Sequence, residues 1–314
     1  MFLENQNRAK SEIEYAKSQG KNVSYLEYCE GQSLERGRVH MNYQDLIGSM
    51  ERYGSTKRDI CIHSIGVNPD QIHENVIIAP WWEPSTFPNF GNFEYLSESN
   101  YSSIKVWNFM VEDLKISYIK TGIGAPVLMD VILALGVTLC KQIIFIGSVG
   151  ALDNKMGIGD IVIPNYSVCG DGASRYLASE KLADGDVFGE KQYPDKIMFD
   201  RLKEATSHIC EENHVKWHVG NNFSTDTVFA QFVHIDEIIE MGCNVIEMET
   251  AAAFRAATFT GIPMAALFSV SDNTVVNKSL VSGCTSEEME YRKKVRSELF
   301  PQIITELFQN RVER

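Results

Sequence analysis

Short apolar runs alternate with longer helical stretches from about residue 59 to the end of the chain. Two of these runs, 76–79 (VIIA) and 143–146 (IIFI), contain no polar residue, which is typical of strands covered on both faces. Strand–helix alternation of this kind predicts an α/β fold with a largely parallel or mixed sheet. Further strands are predicted at 116–119, 161–163, 166–169, 215–219, 244–246 and 265–270, and helices at 126–139, 195–212, 250–260 and 286–310.

The first 58 residues differ from the rest, because they are polar and rich in helix formers. Amphipathic spacing predicts short helices near 5–18 and 42–53. We interpret residues 1–58 as a helical N-terminal extension and residues 59–314 as one catalytic domain. Arg36 and Arg38 flank a glycine in the extension, and we interpret them as solvated surface charge rather than as an anion site.

Charge and cysteine usage exclude several classes of protein. The formal net charge is −13 and the chain has no dense basic cluster, which argues against nucleic acid or an anionic membrane as a partner. Neither a transmembrane run nor the apolar core of a signal peptide is visible. The 7 cysteines are scattered without a CxxC pair, which predicts reduced thiols in a cytoplasmic protein. We therefore expect no metal site and no bound cofactor.

A glycine-rich turn follows one of the apolar strands. The sequence 147–150 (GSVG) lets backbone amides approach a ligand closely, and Ser148 beside Gly147 adds a hydroxyl. It is neither a phosphate-binding Walker loop nor a dinucleotide-binding GxGxxG motif. Taken alone, the turn is better explained as a tight connection without function.

Two carboxylates stand two residues apart where a predicted strand gives way to a helix. Glu247 and Glu249 follow Val245 and Ile246, and strand alternation directs both to the same side. A carboxylate there is suited to accepting hydrogen bonds from the paired hydroxyls of a sugar. The alternative is a helix start stabilised by acidic side chains, which accounts for Glu249 but not for both acids.

Asp272 follows the apolar run 265–268 at the carboxyl end of another predicted strand. Open α/β sheets bind their ligands at this edge, and burial there makes an aspartate a candidate general acid. A helix cap or an Asx turn explains the residue equally well.

Taken together, these segments resemble the nucleoside phosphorylase superfamily, in the branch that contains uridine phosphorylase, hexameric purine nucleoside phosphorylase and the adenosylhomocysteine nucleosidases. The resemblance covers the chain from about residue 60 onward. Its motifs occur in family order at 121–126 (TGIGAP), 146–151 (IGSVGA), 159–164 (GDIVIP), 171–174 (DGAS), 219–226 (VGNNFSTD), 246–249 (IEME) and 269–272 (SVSD).

The resemblance implies a three-layer α/β/α fold built on a mixed, barrel-like sheet. It also implies a homodimer or a trimer of dimers with sites at the subunit interface. By position, Met248 and Glu249 match the residues that hold the ribose hydroxyls, and Asp272 matches the acid at N7 of a purine. Phe223 matches the aromatic residue on the base, and His63 matches a histidine that reaches the neighbouring subunit's ribose.

The phosphate site departs from the family pattern. Ser148 matches the hydroxyl residue that binds phosphate, but the family's glycine is replaced by Trp81 and its two arginines by Ser85 and Phe145. The partner-subunit arginine is matched only by Lys105. Two lost charge-assisted contacts, at about 1.5–3 kcal/mol each, predict phosphate binding weakened by roughly two to four decades.

The resemblance therefore predicts an enzyme that cleaves the N-glycosidic bond of a nucleoside. Asp272 favours a purine, as does the absence from 229–233 of the glutamine–arginine pair that reads uracil. The missing arginines predict weak phosphate dependence, and whether phosphate or water is the acceptor stays open, as does the natural nucleoside. A rival interpretation is a non-catalytic nucleoside-binding protein in which Trp81 and Trp82 fill the phosphate site.

Overall fold

The computed structural model describes residues 41–97, 103–179, 181–279 and 282–309. Within these ranges, ten strands (β1–β10) span Asn75–Ala79, Phe93–Tyr95, Lys105–Val111, Leu114–Lys120, Gln142–Ala151, Ile161–Gly170, Lys191–Gln192, Trp217–Thr225, Val245–Glu247 and Met264–Asn273. In the same ranges, eight α-helices (α1–α8) span Tyr43–Arg52, Lys57–Ile65, Ala125–Leu135, Lys196–Asn213, Ile235–Glu240, Thr250–Thr260, Ser286–Lys294 and Phe300–Gln309. A π-helical segment, Val295–Leu299, joins α7 to α8.

The strands form one mixed sheet in the order β10-β6-β8-β9-β5-β1-β4-β3-β2, with β7 paired to β6. An additional parallel pairing between β10 and β5 closes five of these strands into a barrel. The β5–β9 and β10–β6 pairs are antiparallel, whereas β6–β8 and β8–β9 are parallel. The predicted mixed, barrel-like sheet is confirmed.

Strand β5 changes its neighbour halfway along its length. Its first residues pair with β1, and its last two, Gly150 and Ala151, pair with β9. Between these two stretches, Gly147 and Ser148 keep β10 as a partner on one side only. An opening therefore forms beside Gly147 and Ser148, where α/β sheets commonly bind ligands.

Helices cover both faces of the sheet, which confirms the predicted three layers. Along β1, Val76 and Ile78 pack in the cluster that includes α2, α3 and α6. The alternate residues, Ile77 and Ala79, pack in the cluster that includes α4 and α8. Burial on both faces explains why this strand has no polar residue.

The helices nearest the predicted domain boundary belong to the same compact unit as the sheet. The division predicted between residues 58 and 59 falls inside α2, and the unit begins at Asn42. The predicted helix at 42–53 is confirmed as α1, where Ile47 is buried and the Tyr43 hydroxyl donates to the Leu133 carbonyl at 2.6 Å. The helix predicted near 5–18, together with Arg36 and Arg38, lies outside the described residues.

Three predicted elements are joined or interrupted in the structure. The strands predicted at 161–163 and 166–169 form one strand, β6, because the pairing with β8 continues past Pro164 through a register shift. The helix predicted over 286–310 is interrupted by the π-helical segment. None of the described helices combines the length and the apolar character needed to cross a membrane.

Candidate active site

A cavity of about 510 Å³ lies where β5 changes neighbours. This volume is typical of small-molecule sites. Six residues predicted from the sequence line it together: Trp81, Gly147, Ser148, Met248, Glu249 and Asp272. They come from within or just after four strands that are distant in sequence, so the fold assembles the predicted site residues around one space.

Asp272 is positioned by a bulge in β10. The register against β5 shifts between Val270 and Asp272, and Asp272 then lies opposite Gly150. The Ser271 hydroxyl donates to Asp272 Oδ1 at 2.6 Å, and burial raises the pKa of the carboxyl above its ordinary value. Bulges commonly redirect a side chain beside an active site. This one places a carboxyl suited to carrying a proton at the cavity wall.

Gly150→Ala is expected to lower kcat/KM by roughly tenfold or more, because an added methyl would displace Asp272. A Cβ built at Gly150 would lie 3.0 Å from Asp272 Oδ2 and 3.2 Å from Ile246 Cγ2. Steady-state kinetics of base release measure the effect. The matched control is Gly48→Ala on exposed α1, whose Cβ would meet nothing within 4 Å. Equal kinetics in the two variants would contradict the close packing.

Glu247 serves the fold rather than the cavity. Its carboxylate accepts hydrogen bonds from Asn222 Nδ2 and Ser224 Oγ, both at 2.6 Å. It also accepts from the backbone N–H groups of Glu249 at 2.7 Å and Thr250 at 2.9 Å, which begin helix α6. Although Glu247 touches the cavity, its acceptor capacity is used to tie β8 and β9 to the start of α6.

Glu249 carries the acidic group that remains available to a ligand. Its Oε1 accepts one hydrogen bond, from the Gly124 N–H at 2.7 Å. Burial, followed by the neighbouring charge of Glu247, raises the pKa of Glu249 to about 8. A buried carboxyl with spare acceptor capacity is suited to binding the hydroxyls of a sugar.

The raised pKa of Glu249 predicts a loss of folding stability as the pH rises. At low pH the Glu249 carboxyl is protonated in both the folded and the unfolded chain. Above the ordinary pKa of 4.5 it ionises first in the unfolded chain, so the free energy of unfolding falls as the pH rises to about 8. This linkage is on the order of a few kcal/mol. Urea unfolding of the wild type and of Glu249→Gln between pH 5 and pH 9 measures it. The variant should lose less stability than the wild type, and parallel curves would contradict the assignment.

Two arginines that the sequence analysis did not single out also line the cavity: Arg292 in α7 and Arg296 in the π-helical segment. The Arg292 Nη2 donates to Ser148 Oγ at 3.0 Å, and the Arg296 guanidinium lies 5.0 Å from the centre of the Trp82 ring. Their four-residue spacing in the sequence could have predicted that they lie on the same face of a helix, next to the buried Val295.

The aromatic residues at the family's phosphate positions leave the cavity open. Trp81 lines it, but the side chain is 69% exposed. Trp82 is buried against Phe87 and Phe300 in edge-on contacts. Phe145, 1% exposed, packs edge-on against Phe268. The indoles of Trp81 and Trp82 do not fill the space. The arrangement that would suit the non-catalytic interpretation is therefore not observed.

Phe223 and His63 do not line the cavity. Phe223 is buried in a cluster with Ile246, and its ring lies 6.3 Å from that of Phe188. Burial explains the difference, because Ile246 rather than Phe223 forms the cavity wall here. His63 is exposed on α2, away from the cavity residues of its own chain. The base-binding and ribose-binding assignments of these two residues stay predictions.

Lys105, the remaining candidate for the partner-subunit arginine, is held within its own chain. Its Nζ lies 3.1 Å from Glu83 Oε1, and Lys120 contacts the same oxygen at 3.0 Å. Both cations lower the pKa of Glu83. An anion would have to compete with this carboxylate for Lys105.

Comparison with known proteins extends these observations. The model of the phosphorylase superfamily matches residues 83–308. Purine nucleoside phosphorylase DeoD-type from Streptococcus pyogenes serotype M5 (strain Manfredo) is 27% identical over 164 residues, which cover 51% of this chain and 63% of the relative. The corresponding protein of Streptococcus pneumoniae serotype 19F (strain G54) is 25% identical over 166 residues, 51% of this chain and 64% of the relative. The chain thus spans less than two thirds of the length of these relatives.

Solved structures share the fold. Uridine phosphorylase from Vibrio fischeri ES114 superposes with a TM-score of 0.63 at 21% identity, covering 78% of this chain and 95% of that one. Purine nucleoside phosphorylase from Toxoplasma gondii, in complex with immucillin-H, superposes with a TM-score of 0.63 at 17% identity, covering 79% and 98%. With a family model that matches more than half of its length, this chain belongs to the phosphorylase superfamily.

Proposed function

We propose that this chain cleaves the N-glycosidic bond of a nucleoside, with a purine nucleoside as the favoured substrate. The observation that carries the proposal is one cavity lined by Asp272 and Glu249, two carboxyls whose pKa values are raised by burial. Membership of the phosphorylase superfamily supports it, as does the similarity to the streptococcal purine nucleoside phosphorylases.

The two carboxyls have different tasks in this proposal. Asp272, whose pKa is raised by burial, donates a proton to the departing base as the glycosidic bond breaks. Glu249 binds the ribose hydroxyls beside Met248, and its carboxylate form stabilises the positive charge that develops on the sugar. Two acids held in different environments can serve both roles at once.

Base release from a nucleoside panel tests the proposal. Adenosine, inosine, guanosine and uridine are incubated with the full chain, with and without phosphate, and free base is separated by chromatography. We expect release from at least one purine nucleoside and little from uridine. Nucleoside binding without any base release would instead favour a binding protein with an inactive site.

His63 is expected to act in a neighbouring subunit. It is exposed on α2 and does not line the cavity of its own chain, which suits a contact with the ribose of a neighbouring subunit in a homo-oligomer. We expect a dimer or a larger assembly by light scattering, and a raised KM with unchanged mass for His63→Ala. Arg58→Ala on the same helix is the control. A monomer with full activity would exclude this role.

A further inference from the structure

Arg292 and Arg296 approach the cavity from one stretch of helix. Arg292 lies in the last turn of α7, and Arg296 lies in the π-helical segment that follows. The core buries Val295, which lies between the two arginines, and Leu299, which follows them. These two side chains anchor this stretch of the chain. Single π-helical turns are often retained at functional sites. Here Arg292 lies just before the π-helical segment and Arg296 within it, and both line the same cavity.

The contacts of these arginines leave much of their donor capacity unused. Arg292 donates to Ser148 Oγ, and Arg296 stacks near Trp82. The Nε atom of each is buried without a hydrogen-bond partner. Within the part of the chain that the structure describes, neither guanidinium forms an ion pair, although the charge of Asp272 acts on Arg292.

Two cations placed in this way destabilise each other. Burial lowers the pKa of both arginines, and the neighbouring charge of Arg292 lowers that of Arg296 further. Guanidinium groups nevertheless stay charged at neutral pH. Both side chains are half-buried. A partly desolvated charge without a partner is costly unless a counter-ion binds, and guanidinium forks match the oxygens of phosphate. The cavity therefore has the charge and the donors to bind an oxyanion.

We propose that Arg292 and Arg296, together with the Ser148 hydroxyl, bind an oxyanion of the phosphate class in this cavity. They would replace from the C-terminal helix the guanidinium groups that are absent at Ser85 and Phe145. This inference rests on the proposed function, since both use the same cavity. It also replaces the prediction of weak phosphate dependence, because that prediction took neither arginine into account.

Two sources could supply the phosphate group that these residues bind. Free phosphate would form a bond from one oxygen to C1′ of the sugar as the C1′–N bond breaks. The electron pair of that bond passes to the base, which takes the proton of Asp272, and a sugar 1-phosphate is released. Alternatively, the anion is the phosphate group of a nucleoside monophosphate, and the oxygen of a water molecule bonds to C1′ as the C1′–N bond breaks. The base again takes the electron pair and the proton of Asp272, the proton lost by the water returns to Asp272 through solvent, and a sugar phosphate with a free 1-hydroxyl is released.

Direct binding of inorganic phosphate tests the site without relying on activity. Titration calorimetry in a phosphate-free, sulfate-free buffer is run on the wild type, Arg292→Gln and Arg296→Gln, with circular dichroism as the check on folding. Each substitution is expected to weaken binding roughly ten- to hundredfold, the usual value of one charge-assisted contact. The control is Lys294→Gln, an exposed cation on the same helix, which should bind as the wild type does. Should a glutamine variant fail to fold, Arg292→Lys keeps the charge but not the fork and should bind with intermediate strength.

The outcomes separate this inference from the proposed function. Phosphate binding that is lost in both variants supports the anion site, even if no nucleoside is cleaved. Base release that is insensitive to phosphate, with no binding of phosphate or of a nucleoside monophosphate at millimolar concentration, overturns the anion site alone. Slower base release in Arg292→Gln with unchanged phosphate binding overturns it as well, since Arg292 would then act only through Asp272.

The source of the anion follows from the products. Formation of sugar 1-phosphate in step with base release supports free phosphate. Cleavage of a nucleoside monophosphate without added phosphate, lost in the same two variants, supports the substrate's own phosphate.

Discussion

Asp272→Asn is expected to lower kcat for base release by at least about 10²-fold while the protein stays folded. Asparagine keeps the shape of the side chain and its contact with Ser271, but it has no proton to transfer to the base. Glu249→Gln should have an effect of similar size. That effect should be largest above pH 8, where the wild-type carboxyl is ionised and the amide is not.

Single-turnover base release between pH 6 and pH 9 measures both variants, with circular dichroism to confirm folding. Asp236→Asn, at an exposed position on α5, is the matched control and should retain the wild-type rate. Unchanged rates in both cavity variants would refute the catalytic assignment and leave the cavity as a binding site.

Glu247→Ala is expected to destabilise the fold by roughly 3–5 kcal/mol, although Glu247 is only two residues from Glu249. The substitution removes the acceptor of four donors: Asn222 Nδ2, Ser224 Oγ and the backbone N–H groups of Glu249 and Thr250. These donors are buried, so water cannot fully replace the carboxylate. Strand β8, strand β9 and the start of α6 would separate more readily.

Urea unfolding at constant pH measures this loss of stability. Glu240→Ala, an exposed acid at the end of α5, is the control and should stay within about 0.5 kcal/mol of the wild type. If Glu247→Ala unfolds like the wild type but is inactive, then Glu247 belongs to the ligand site rather than to the fold.

The fold class could be predicted from local pattern because each central strand presents apolar side chains to both faces of the sheet. The run at β1 is apolar at every position from Val76 to Ala79, and the structure buries its two faces against different helices. Ser148, Glu249 and Asp272 were also found from the sequence, since a glycine-rich turn after an apolar run and acids after predicted strands are common positions for ligand-binding residues.

The local pattern of residues predicted neither the closing of the barrel, which only the family resemblance implied, nor the break in the last helix. Closure depends on the pairing of β10 with β5, and strand pairing over such a separation leaves no local pattern. The π-helical segment at Val295–Leu299 has ordinary helical composition, and only its packing against the core distinguishes it.

By itself, the sequence determined the α/β class, the family and the set of polar residues at the strand ends, because these depend on periodicity and short motifs. Only the tertiary structure decided which of the acids Glu247 and Glu249 stabilises the fold and which is available to a ligand. Asn222 and Ser224, on another strand, donate hydrogen bonds to Glu247. It also placed Phe223 away from the cavity and brought Arg292 and Arg296 into it. The physical reason is common to these cases: hydrogen bonds act through space, and the bonded partners lie 23 to 144 residues away along the chain.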